Sequence, residues 1–199
     1  MAQQPLTSVF LFVQFLCVVF SDDYGTTVAE IEYEDYAFDK FMNTSEPIWI
    51  VNTTQPDAPS CTNDVNRNMT TNNETFFTRS YKNGDQYTKK ELKGKFGLHD
   101  EHRAKMFDKM TVSEVKGAKE VDEEILEYLS NSEKCAVVTV MDHNDGTKVW
   151  RDVRVRNSSL SETTSAEYQE CLGRFDLIVR LTKKNWTLPY TTNCESAQS

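Results

Sequence analysis

The chain has 199 residues, a length that suits one domain, or one domain behind a leader. Its 22 Lys and Arg against 31 Asp and Glu give a formal charge of −9, the opposite of the basic footprint a nucleic-acid binder carries. Apolar residues make up 38%, below the roughly 45–50% of an average globular chain, so a modest core is expected, while seven Gly and five Pro exclude collagen-like and linker-like sequences.

Val9 to Phe20 reads VFLFVQFLCVVF. The run is too short to cross a bilayer but suits the core of a signal peptide, with the small Ser21 at the cleavage position. Residues 1–21 are read as a signal peptide and 22–199 as one mature domain, secreted and extracellular. No later stretch of about 20 apolar residues occurs, so no transmembrane segment is expected.

Ile31 to Met42 has a loose helical face built on Ile31, Phe38, Phe41 and Met42. Pro47 ends it, and Ile48 to Thr54 is rich in strand formers. Cys61–Met69 and Thr75–Tyr81 read as strands around the turn-prone Asn72-Asn73. Lys82-Asn83-Gly84-Asp85 is a hairpin turn, with Gln86–Phe96 as the returning strand. Ala104–Val115 alternates imperfectly. Val121–Leu129 reads as helical from Val121, Ile125, Leu126 and Leu129. Cys135–Met141 is a strand, Asn144-Asp145-Gly146 a second hairpin turn, and Thr147–Arg156 its partner strand. Ser161–Leu172 has the start and stop signals of a helix closed by Gly173. Phe175–Leu181 alternates as a last strand. About eight hairpin-joined strands with a helix at each end fit a mostly β, eight-stranded antiparallel up-and-down barrel; a sandwich is the competing architecture.

Beyond Cys17 of the leader, Cys61, Cys135, Cys171 and Cys194 are an even set, which in a secreted chain suggests disulfides. Four cysteines allow three pairings, and spacing does not choose among them. No CxxC occurs, and His99, His102 and His143 have no ligand spacing, so no metal is expected. Asn43, Asn52, Asn68, Asn73, Asn157 and Asn185 each open an N-x-S/T sequon, and six together point to a glycoprotein with those asparagines on its surface. No GxSxG, HExxH, P-loop or GxGxxG is present. An enzyme is not indicated, and no cofactor is expected; a small barrel can instead hold one ligand.

Several local features together resemble the salivary lipocalins of ticks, the family that includes the histamine-binding proteins. They are the acidic helix before the barrel, Pro47-Ile48-Trp49-Ile50-Val51-Asn52-Thr53, Cys61, Phe77-x-Arg79-Ser80-Tyr81, Cys135, and the closing run Cys171…Tyr190…Cys194. The resemblance implies a lipocalin barrel and pairs Cys61 with Cys194 and Cys135 with Cys171. The family's amine binders carry an Asp after the late-strand cysteine and a Glu-Leu-aromatic triplet on the next strand. Here Ala136 follows Cys135, and the triplet is Lys148-Val149-Trp150. A buried ammonium needs a carboxylate partner, so this departure turns the expectation from amines toward a sterol, fatty acid or eicosanoid, as in the japanin-type branch associated with modulating host immune cells.

Parity along Lys148–Arg156 offers two lumens. With Lys148, Trp150, Asp152 and Arg154 inward, the wall is partly cationic and suits an anionic lipid head. With Val149, Val153 and Val155 inward, it suits a sterol. Strand placement makes Trp49, Phe77, Tyr81, Phe96, Phe107 and Trp150 candidate ligand contacts, and the triplet orientation that the resemblance implies adds Lys148. The expected role is sequestration of a small hydrophobic or amphipathic host molecule that drives inflammation or immunity. The alternatives are a histamine or serotonin scavenger using carboxylates elsewhere, such as Glu114 or Glu124, and an antagonist whose outer surface binds a host immune-cell or plasma protein.

Overall fold

Eight strands close into one antiparallel barrel in the computed structural model, which describes residues 34–197. They are β1 (Ile48–Thr53), β2 (Ser60–Thr70), β3 (Glu74–Asn83), β4 (Gln86–Gly97), β5 (Lys109–Glu114), β6 (Glu120–Leu129), β7 (Cys135–Asp142) and β8 (Val149–Arg156). Each pairs with its neighbours in sequence, and β8 returns to β1 through Trp49↔Val155 and Ile50↔Arg154. A short helix α1 (Phe38–Met42) precedes the barrel, and a long helix α2 (Ala166–Thr182) follows it. The leader and Ile31–Tyr33 of the expected first helix lie outside the described residues.

The alternation of side chains across each strand divides the core in two. Phe77, Leu92, Phe96, Met110, Val112, Leu126, Ala136, Val138 and Val140 point into the barrel, where Phe38, Phe41 and Met42 of α1 plug one end. Trp49, Tyr128, Val137, Val153 and Val155 point outward and are covered by Cys171, Phe175 and Val179 of α2. The β3–β4 turn is closed by the pair Asn83↔Gln86. Gly84 sits there at φ +58°, which glycine reaches without a Cβ penalty.

Two sequence expectations are corrected. Val121–Leu129 is not helical but is most of β6. Its pairing with β7 shifts register between Leu126 and Tyr128, and such a bulge changes which side chains face in. The interior set therefore steps from Asp122, Glu124 and Leu126 to Leu129, and that last step of three imitates a helical period. Phe175–Leu181 is not a strand but the second half of α2. Cys171, Phe175 and Val179 recur every fourth residue and give the helix one buried stripe. Gly173 does not stop it: a Cβ there would meet nothing within 4 Å, and an exposed helical glycine costs only about 1 kcal/mol. Ser165 caps the N-terminus, its hydroxyl accepting from the Tyr168 N–H at 3.2 Å. The helix ends instead at Lys183, which is left-handed at φ 53°.

Cys61 is bonded to Cys194 and Cys135 to Cys171, the pairing that the resemblance implies. The first bridge secures the segment after α2, which also pairs with β1 through Thr53 N–H to Thr187 O at 3.0 Å and its reciprocal at 2.8 Å. The second ties α2 to β7. A bridge spanning 133 residues removes enough denatured-chain entropy to contribute about 5 kcal/mol in the loop-closure treatment. The double variant Cys61→Ser/Cys194→Ser is expected to lose most of that by urea denaturation; a loss under about 1 kcal/mol would show that the tail is held by packing alone.

Candidate functional site

The barrel interior is built in layers, and the lower ones are solid. Phe96 packs on Phe38 at 6.2 Å between ring centroids, and Phe38 donates its N–H to the Phe107 carbonyl at 2.7 Å. Above them Phe77, Leu92, Met110 and Val112 are fully buried. Gly94 lets this layer close, since a Cβ there would overlap Met110 and come within 2.9 Å of Thr75.

The next layer toward the open end is ionic. From β3, Arg79 donates to both carboxylate oxygens of Asp64 at 2.8 Å, to Glu124 at 2.8 Å and to Asp122 at 3.4 Å. From β8, Arg154 forks onto Glu124 at 2.6 and 2.8 Å and reaches Asp152 at 3.3 Å and Asp64 at 3.8 Å. The Thr53 hydroxyl donates to Asp152 at 2.7 Å. Asp64, Asp122, Glu124, Asp152 and Arg154 are each 4% exposed or less. Four carboxylates thus face two guanidiniums, and guanidiniums keep their protons.

Strand register explains the convergence. Asp64 opposes Arg79 across β2–β3, Glu124 opposes Val140 across β6–β7, and Val140 opposes Trp150 across β7–β8, so residues of five strands share the inner face.

Above the ionic layer lies a cavity of about 390 Å³ at the barrel mouth. Its walls include Ile50, Tyr81, Val121, Val140 and Trp150; Asp122, Asp152, Arg79 and Arg154 also line it. Asp122 Oδ1 and Arg154 Nε are buried there without a hydrogen-bond partner. Such unpaired polar atoms are costly in a native interior and mark where a ligand or water completes the set.

Burial, then the neighbouring Glu124 charge, pushes the Asp122 carboxyl up to about 7 against the opposing pull of Arg79 and Arg154. Burial raises Asp152 as well. Burial would also raise Glu124, but Arg154 and Arg79 outweigh it and hold that carboxyl down to about 2.

Of the sequence-expected contacts, Tyr81 and Trp150 line this cavity. Phe77, Phe96 and Phe107 pack in or against the filled part of the barrel. Trp49 is not in the lumen. It lies on the outer face, edge-on to Tyr190 at 5.2 Å, its indole N–H donating to Asn157 Oδ1 at 2.9 Å. Lys148 precedes β8 and is exposed beside Asp145 at 3.4 Å. It borders an adjoining outer groove of about 750 Å³, lined also by Lys184, which shares Gln55, Asp57, Asp142 and Trp150 with the mouth cavity. Of the two parities weighed for β8, Trp150, Asp152 and Arg154 face inward, while Val153 and Val155 lie beneath α2. The expected cationic lumen is nevertheless reversed in sign, because Asp64, Asp122 and Glu124 arrive from other strands.

Of Glu114 and Glu124, the two carboxylates that the sequence offers for the lumen, Glu124 belongs to the ionic layer. Asp64 and Asp122 were missed. Alternation in a β6 read as a strand would have found Asp122 and Glu124 together. Among the sequons, Asn43, Asn68, Asn73 and Asn185 are exposed. Asn52 is only 7% exposed within β1, and Asn157 is occupied by Trp49.

No protein-family model and no curated protein matches the sequence. Among solved structures, the chain is similar to the crystal structure of the AM182 serotonin complex, with 15% identity and a TM-score of 0.58 over 82% of this chain and 95% of that one. It is also similar to a dog lipocalin allergen (10% identity, TM-score 0.47, 76% and 97% covered) and to a bovine odorant binding protein variant (12%, 0.46, 71% and 90%). The first of these shares the fold.

The ionic layer predicts a stability profile. A carboxyl raised in the folded state adds stability that is complete below its unfolded value, here 3.8, and is lost as pH rises through about 7. The urea midpoint is therefore expected to fall between about pH 5 and about pH 8, and Asp122→Asn to remove most of that slope. An unchanged slope in the variant would place the titrating group elsewhere.

Proposed function

We propose that this chain is a secreted lipocalin that sequesters a small amphipathic molecule with a cationic head, an aromatic amine being the best-fitting class. The observation that carries this reading is the unpartnered Asp122 Oδ1, buried beside the mouth cavity in a layer with two more carboxylates than guanidiniums. A protonated amine supplies the missing donor and the missing charge together. Trp150 and Tyr81 offer ring faces and edges to an aromatic body. Among the described residues, Phe77, Leu92, Phe96 and Met110 fill the lower barrel, which weighs against a sterol or acyl chain. The serotonin bound in the structure of similar fold agrees with this class. Binding, not turnover, is the activity, and the role is to lower the free concentration of a host mediator of inflammation. Glycans are placed on the exposed Asn43, Asn68, Asn73 and Asn185.

A second reading rests on the outer groove. Lys148 and Lys184 stand there with Val149 and Trp150, alongside Asp57 and Asp142, and the two ammoniums suit an anionic lipid head.

Native mass spectrometry with equimolar serotonin, histamine, arachidonate and cholesterol separates the two. One retained amine per chain is expected, weakened at least about tenfold by Asp122→Asn, since a charge-assisted hydrogen bond contributes roughly 1.5–3 kcal/mol. Retention of arachidonate with loss of binding in Lys184→Glu would favour the groove; retention of cholesterol would overturn both readings.

A further inference from the structure

Asp122 is surrounded by charge from most of the barrel. Asp64 faces it from β2, Arg79 from β3, Glu124 from its own strand, and Asp152 and Arg154 from β8. Asp142 is its register partner on β7, and the β5 partner is the uncharged Val112. Both guanidiniums are already divided among carboxylates: Arg79 over Asp64, Glu124 and Asp122, and Arg154 over Glu124, Asp152 and Asp64. Two excess negative charges in a buried layer are expensive. Among the described residues Arg79 and Arg154 are the cations acting on Asp122, and protons on carboxylates relieve the remaining charge.

Geometry chooses the carboxylate. Both oxygens of Glu124 are held by guanidiniums at 2.6–2.8 Å. Asp64 is gripped by Arg79 through both oxygens, and Asp152 takes Thr53 and Arg154. Asp122 has a single long contact at 3.4 Å and one oxygen with no partner.

We infer that Asp122 is a proton-for-cation exchange site: the unliganded barrel keeps a proton on this carboxyl, and an incoming ammonium displaces it to solvent. The exchange balances. The Asp122 O–H bond breaks, the proton passes to buffer, the ammonium keeps its own protons, and the formal charge of the ionic layer plus ligand is unchanged. The raised Asp122 carboxyl is consistent with this. Affinity then rises with pH until the carboxyl is already ionised, and acidification discharges the ligand. The inference rests on the reading of the mouth as a cation site and adds its regulation.

The test is titration calorimetry with serotonin in two buffers of different ionisation enthalpy, near pH 6 and near pH 8.5, where an alkylammonium of pKa about 10 stays charged. Close to one proton released per amine is expected at the lower pH and close to none at the higher. Affinity should weaken by up to about tenfold per pH unit below the Asp122 midpoint. His143, between the cavity-lining Asp142 and Asn144 and 3.2 Å from Glu120, serves as the control. Release should persist in His143→Gln, and any binding that survives in Asp122→Asn should release none. Amine binding without proton release at either pH, or release abolished by His143→Gln, would overturn the exchange and leave the cation reading standing. No amine binding at either pH would overturn both.

Discussion

Two guanidiniums buried across the barrel among four carboxylates are the constraint around which the interior is arranged. Ions taken this far out of water cost several kcal/mol each unless the partner geometry is close. Here the geometry is close for Arg79, Arg154, Glu124 and Asp64. Removing either guanidinium leaves buried carboxylates uncompensated, a change that costs about 3–5 kcal/mol in comparable pairs. The layer also divides the lumen. Beneath it, Phe77, Leu92 and Met110 fill the barrel to the α1 plug; above it, a shallow mouth cavity remains. The mouth cavity is therefore charged at its floor and aromatic at its rim.

Such a layer needs walls that do not yield. The outward-facing cluster supplies them. Val153 and Val155 of β8, Val137 and Cys135 of β7 and Tyr128 of β6 are clamped beneath α2, and the Cys135–Cys171 bridge fixes that clamp covalently. Alternate residues of β8 thus do two jobs: Asp152 and Arg154 build the ionic layer, while Val153 and Val155 anchor the strand from behind. The Cys61–Cys194 bridge and the Thr53–Thr187 pairing hold the last segment against β1, next to Thr53, whose hydroxyl orients Asp152.

Much of this architecture was legible in the sequence, and its failures share one cause. The turns at Gly84 and Gly146 and the strand runs of β1 to β4, β7 and β8 gave a barrel. The strand count came out right although one member was wrong, because Phe175–Leu181 entered the tally in place of β6. Both errors came from short windows in which periods of two and of about four overlap. In β6 a bulge breaks the alternation; in α2 a glycine sits on the exposed face. The β6 error hid the site, since Asp122 and Glu124 share a face only in a strand. The resemblance points to Ala136 and Lys148, two positions where carboxylates are lacking. Ala136 is buried in the barrel wall and Lys148 lies outside it, and the acids stand on β2, β6 and β8 instead. No spacing rule links Asp64 to Glu124 across 60 positions of sequence; only closure of the barrel brings both to Arg79.

On the proposed reading, the sign of the buried layer determines what the protein holds. The most direct measurement is a crystal structure of the protein soaked with serotonin. The account predicts the ring beside Trp150 and Tyr81 and the ammonium nitrogen within hydrogen-bond reach of Asp122 Oδ1. A ligand seated in the outer groove beside Lys184, or turned so that its ammonium points away from the ionic layer, would contradict it.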